Sequence, residues 1–213
     1  MKPSDQVRQA RLYGILDLGY VAIEKAEDMT SRMLAGGVQV LQLRAKTHSE
    51  KAIAELGRLI SPLCRAAGAP FIINDYPHLV SEAGADGTHI GQDDMSVAEA
   101  RHLAGPGALV GRSTHSVAQA IATAQEQPDY IGFGPLFATP TKPDYRPIGL
   151  ADIEEVHRRL DIPIFCIGGI KLENLPTVLA SGASRCVIVS GILQAENVSG
   201  YCRECLDYLS PAA

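Results

Sequence analysis

The sequence has little that would take it to a membrane, to nucleic acid or into a disulfide scaffold. No run approaches the roughly 20 apolar residues of a bilayer span, and the opening Met1-Lys2-Pro3-Ser4-Asp5-Gln6 lacks the apolar segment of a secretion signal. A soluble, cytoplasmic protein is therefore expected. Basic residues are outnumbered, 19 Lys and Arg against 24 Asp and Glu, for a net charge of −5 and a pI near 5.7. A general nucleic-acid surface needs a clustered excess of Lys and Arg, so nucleic acid is excluded as a partner, although a local cluster can still hold a small anion. The five cysteines are an odd number, scattered at Cys64, Cys166, Cys186, Cys202 and Cys205, which is no disulfide framework. Cys202-Arg-Glu-Cys205, the close pair, lacks the second pair or the histidines that zinc requires and reads as ordinary thiols in a C-terminal helix, while Cys166 and Cys186 read as small core residues in apolar strands. There is no linker, long repeat or low-complexity segment. There is also no nucleophile elbow, and no Asp is placed to orient His115, which argues against a hydrolytic triad.

What is present is an alternation of short apolar runs with helical patterns, sustained from end to end. Strands are expected over 11–16, 38–44, 71–74, 87–90, 109–113, the start of 129–142, 164–167 and 186–189. Helices are expected over 26–35, 49–67, 78–83, 97–103, 116–125, 150–160, 172–180 and 199–209, with Ser49 as an N-cap and Gly68 as a stop. The strand runs are apolar at consecutive positions, as parallel strands covered on both faces are. Eight βα units predict one domain over residues 1–213, a closed α/β (β/α)8 TIM barrel, with an open doubly wound sheet as the alternative. The turns Ala-Gly-Gly-Val, Ala-Gly-Ala-Asp and Ser-Gly-Ala-Ser before strands two, four and eight read as helix-ending turns on the face opposite the site.

In a barrel the loops after the strands share one face, so their residues are read together. Strand two delivers Gln42, Arg44 and Lys46; strand three Asn74 and Asp75; strand four His89, Gln92, Asp93 and Asp94; strand five Ser113 and His115; strand six the loop Thr139-Pro140-Thr141-Lys142. Alternation sends Gln42 and Arg44 to the same side. Asp75 and one of the pair Asp93 and Asp94 either cap the helices that follow them or share a cation, since two carboxylates in a desolvated site repel each other. A magnesium ion, which takes one or two protein carboxylates together with phosphate oxygens and water, suits them, with Arg44, Lys46 and Lys142 around a bound diphosphate. His89 reads as a hydrogen-bonded structural histidine. Gly168-Gly169-Ile170 and Ser190-Gly191-Ile192 end strands seven and eight, where barrels commonly bind a phosphate, although glycine there also serves simple turns.

The combination Gln42-Leu-Arg44-Ala-Lys46, Ile73-Asn74-Asp75, Gly87-Thr-His89-Ile-Gly-Gln92-Asp-Asp94, Gly111-Arg-Ser113-Thr-His115, Gly134-Pro-Leu-Phe-Ala-Thr139-Pro-Thr141-Lys142, Ile167-Gly-Gly169-Ile and Val189-Ser190 resembles thiamine phosphate synthase, from Tyr13 to about Leu193. The resemblance implies an enzyme that couples hydroxymethylpyrimidine diphosphate to thiazole phosphate and releases diphosphate. It implies Mg2+ held by Asp75 and Asp94, pyrimidine diphosphate held by Gln42, Arg44, Lys46, Asn74, Ser113 and Lys142, and thiazole phosphate held by Thr139, Thr141, Gly169, Val189 and Ser190. Lys142, Ser113 and Arg44 are the implied catalytic residues, and a homodimer is the implied assembly. The chain departs from the family pattern at Leu16, at Tyr76-Pro77 and across 143–147. A thiazole tautomerase-like barrel, a non-catalytic sensor of thiazole or thiamine phosphate, and a Schiff-base aldolase are the alternatives. The joint presence of Lys46, Asn74, Asp75, Asp94 and Lys142 disfavours the first two, and the polar setting of the lysines disfavours the aldolase.

Overall fold

Eight parallel strands close on themselves in sequence order in the computed structural model, which describes residues 1–139 and 146–210. They are β1 (Leu12–Asp17), β2 (Val40–Arg44), β3 (Phe71–Asn74), β4 (Gly87–Ile90), β5 (Leu109–Thr114), β6 (Tyr130–Phe133), β7 (Ile164–Cys166) and β8 (Cys186–Ile188). Helices α2 (Ala26–Ala35), α3 (Glu50–Ala67), α4 (Val80–Ala83), α5 (Val97–Ala104), α6 (Val117–Gln125), α7 (Ile153–Arg159), α8 (Leu175–Ala180) and α10 (Val198–Leu209) follow the strands in turn. The expected (β/α)8 barrel is thus the architecture, and closure of β8 onto β1 excludes the open sheet. Ser49 caps α3 by accepting from Ala52 N, and Gly68 ends it at φ 68°, as read from the sequence. No helix among the described residues is long and apolar enough to cross a membrane.

Strand alternation divides the core in two. Leu12, Leu16, Leu41, Leu43, Phe71 and Ile73 face outward and pack beneath the helices, whereas Tyr13, Ile15, Val40, Ile72, Tyr130, Phe165 and Val187 fill the barrel interior. Each of the fully buried aromatic side chains contributes about 2–3 kcal/mol of transfer free energy. The five cysteines are free and buried, as expected for core thiols.

Two α-helices were not anticipated. Helix α1 (Pro3–Gln9) precedes β1 and closes the barrel's lower end, with Val7 and Ala10 buried in the interior cluster. Helix α9 (Ser190–Leu193) is a single turn immediately after β8. Other differences are shifts of boundary: the seventh helix starts at Ile153 rather than 150, the eighth at Leu175 rather than 172, and residues 77–79 are a 3-10 turn leading into α4.

Candidate active site

A cleft of about 750 Å3, counted to its open mouth, lies at the C-terminal ends of the strands. Its walls include Gln42, Arg44, Asn74, Ser113, Thr139, Gly169, Val189 and Ser190 of the residues expected in the site, together with His89 and His115. Lys46, Asp75 and Asp94 are not in its lining; they follow β2, β3 and β4 at the same ends of the strands. Thr141 and Lys142 lie outside the described residues. Gln42 and Arg44 enter on the same side, as two-residue spacing along a strand requires.

The rim is an ordered set of ion pairs rather than a pooled cluster of charge. Asp17 and Arg44 are register partners in β1 and β2, and the Arg44 guanidinium donates to Asp17 Oδ2 at 2.7 Å while Gly19 N donates to Oδ1 at 2.9 Å. The Lys46 ammonium meets Asp75 Oδ2 at 2.5 Å. Asp75 stands in the left-handed region at φ 67°, a conformation that non-glycine residues adopt at a cost and that clusters at functional sites. Its N–H donates to His89 O at 2.9 Å, which fixes it to the end of β4. Four residues beyond that strand, Asp94 Oδ2 accepts from Gly91 N at 2.6 Å. Asp75 and Asp94 therefore sit on adjoining strand ends of the same face. In each carboxylate Oδ2 is engaged by the protein, and Oδ1 makes no hydrogen bond among the described residues.

The floor is polar and continuous. Gln42 Nε2 donates to the Tyr13 hydroxyl at 2.7 Å, the Tyr13 and Tyr130 hydroxyls are 3.0 Å apart, and His89 reaches Tyr130 through Nδ1 at 3.3 Å and Ser113 Oγ through Nε2 at 2.9 Å. His89 is thus hydrogen-bonded through both ring nitrogens, in keeping with a structural role. Burial pushes both phenols above their ordinary range, and for Tyr130 the neighbouring Tyr13 pushes further. His115 Nδ1 donates to the Gly134 carbonyl at 2.5 Å, and its N–H to Gln119 Oε1 at 2.7 Å.

At strands seven and eight the backbone itself is the wall. Gly168 and Gly169 have φ of 100° and 66°, and a Cβ on them would fall 2.4 Å from Pro135 Cα and 2.7 Å from Phe137 Cβ. Glycine is needed there both for its dihedrals and for the close approach of the loop after β6, which pairs through Leu136 N to Ile167 O and Phe137 N to Gly168 O. Asn174 braces the turn, donating to Gly169 O at 2.9 Å and accepting from Lys171 N at 2.8 Å.

The family model for thiamine monophosphate synthase matches residues 12–192. The chain belongs to this family. A thiamine-phosphate synthase of Thermus thermophilus is 45% identical over 176 residues, covering 82% of this chain and 84% of that protein. One of Chlorobium luteolum is 42% identical over 171 residues, covering 80% and 81%. A solved structure of thiamine phosphate pyrophosphorylase from Pyrococcus furiosus superposes with a TM-score of 0.86 at 28% identity over 95% of this chain and 96% of that one. Within the thiamine monophosphate synthase frame, the residues missed in the sequence are Asp17, which holds Arg44, and the tyrosine pair beneath Gln42 and His89. Asp17 was legible as an acid ending the first apolar run; the tyrosines carry no signal that separates them from core aromatics.

Proposed function

We propose that this member of the thiamine monophosphate synthase family, a transferase, joins hydroxymethylpyrimidine diphosphate to thiazole phosphate with loss of diphosphate. The observation that carries the reading is the pairing, on one barrel face, of a cation-edged carboxylate rim at strands two to four with a glycine-walled turn at strands seven and eight, two anion subsites flanking one cleft. Rearranging a thiazole alone requires only one of them. Arg44 and Lys46 bind the diphosphate and take up the charge that develops on it as it leaves, with Lys142 assigned the same role through the resemblance. Gln42, Asn74 and Ser113 orient the pyrimidine. Gly169, Val189, Ser190, Thr139 and Thr141 hold the thiazole phosphate so that its ring nitrogen faces the exocyclic carbon, and positioning replaces any protein nucleophile.

Asp75 and Asp94 fit a magnesium ion. Each offers Oδ1 while Oδ2 is held by Lys46 or by Gly91 N, and a hard divalent ion accepts two carboxylates when phosphate oxygens and water complete its shell. Among the described residues no group of three or more His, Cys, Asp or Glu could hold a metal, and phosphate oxygens and water would make up the rest of the ion's shell. The ion supplies neutralisation of the leaving group when bound. The test is product mass after mixing the purified chain with both half-molecules, with and without magnesium: thiamine monophosphate formed only with the metal is expected, and no product with all three present overturns the proposal. The homodimer and cytoplasmic location implied by the resemblance and the sequence are tested by light scattering and cell fractionation.

A further inference from the structure

We propose that Tyr13 and Tyr130 are positioning residues that set the hydrogen-bond polarity of the cleft, making Ser113 a donor to the bound ring through a fixed His89 tautomer. The steps follow from proton counting. Gln42 Nε2 donates to Tyr13 at 2.7 Å, so the one hydroxyl proton of Tyr13 goes to Tyr130, 3.0 Å away. Tyr130 then directs its own proton to His89 Nδ1 at 3.3 Å. An imidazole nitrogen that accepts carries no proton, so the neutral ring is protonated at Nε2, which donates to Ser113 Oγ at 2.9 Å. Ser113 has accepted, and its hydroxyl proton is left to donate into the cleft. The opposite polarity would start from a Gln42 carbonyl accepting from Tyr13 and would leave Ser113 an acceptor.

Packing holds the relay. A Cβ at Gly111 would fall 2.1 Å from the Tyr130 ring, so the phenol occupies the space a β5 side chain would take, and Phe165 meets both tyrosine rings edge-on, with centroids 5.3 and 5.7 Å away. Burial keeps both phenols protonated, so neither link is lost by ionisation. The partner defined is a heteroaromatic ring presenting a nitrogen lone pair to Ser113; its identity as the pyrimidine half rests on the proposed function, whereas the tautomer does not. Long-range 1H–15N correlation spectra of the full-length labelled protein, with His89 assigned by comparison with His89→Asn, are expected to show the Nε2-protonated ring. Tyr130→Phe is expected to mix the tautomers and to lower kcat/KM for the pyrimidine diphosphate about tenfold, while KM for thiazole phosphate changes less than about twofold. An Nδ1-protonated ring in the unmodified protein overturns the proposal, as does Tyr130→Phe with spectrum and kinetics unchanged. If Tyr130→Phe does not fold, Tyr13→Phe, one link further, is read the same way. Absence of turnover in the unmodified protein would remove the substrate assignment and leave the tautomer to decide the relay.

Discussion

Replacing Asp17 by Asn should destabilise the fold and loosen the pyrimidine diphosphate subsite at once. The substitution keeps the side chain's shape and its acceptance from Gly19 N, and removes the charge that faces Arg44 at 2.7 Å. The Asp17 side chain is 3% exposed and that of Arg44 16%, so little water can replace the lost partner. Breaking a buried pair by removing one member costs about 3–5 kcal/mol, and the residual access of Arg44 to solvent argues for the low end, about 3 kcal/mol. For a domain of this size each kcal/mol lowers the melting temperature by about 2–4 °C, which gives a fall of about 6–12 °C. Because Arg44 loses its brace as well as its charge partner, KM for the pyrimidine diphosphate should rise about tenfold. Calorimetry and steady-state kinetics on Asp17→Asn, Arg44→Gln and the double variant give the coupling, expected to exceed about 1 kcal/mol. A shift of under about 2 °C with additive single effects would refute the claim that Asp17 fixes Arg44.

Asp94→Ala should abolish magnesium-dependent coupling while the melting temperature falls only by the loss of the Gly91 contact, about 1 kcal/mol; product mass and thermal denaturation check both, and full activity would contradict the metal assignment. Lys142→Ala should slow the single-turnover step more than it weakens thiazole phosphate binding, and an unchanged single-turnover rate would remove its role on the leaving group. Gly169→Ala places a side chain at φ 66° and 2.7 Å from Phe137 Cβ, so denaturant titration should show a loss of at least about 2 kcal/mol, with weaker thiazole phosphate binding by calorimetric titration. Burial raises the thiols of Cys64, Cys166, Cys202 and Cys205 to about 12, from an ordinary 9.0. A thiol reagent at pH 8 should therefore label none of them until denaturant is added. Above pH 9.0 the unfolded chain releases protons that the folded chain retains, so stability is intact below that pH and falls as pH rises toward 12, read as a declining denaturation midpoint.

Much of this architecture was legible because parallel strands covered on both faces write themselves as consecutive apolar residues, and because barrel closure brings strand ends to one face whatever their separation in sequence. Gln42 with Arg44, and Gly168 with Gly169, were readable from spacing and residue type alone. What escaped depends on register between distant strands. Tyr13 and Tyr130 meet across 117 residues, and nothing local marks either as more than a core ring. The pairing of Lys46 with Asp75 and of Arg44 with Asp17 escaped for the same reason: sequence gives the charges but not which neighbour each will face. Helix α1 has one buried residue, Val7, so its apolar periodicity is too weak to register; it is defined by what it covers.

That small helix has a kinetic corollary. Gln6 is tied to the end of α3, Arg8 O to Arg185, and Arg11 to the end of α10, so the stopper is lashed at several points and covers the lower end of the barrel. Reactants and products therefore share the mouth at the C-terminal ends of the strands, where the cleft lies.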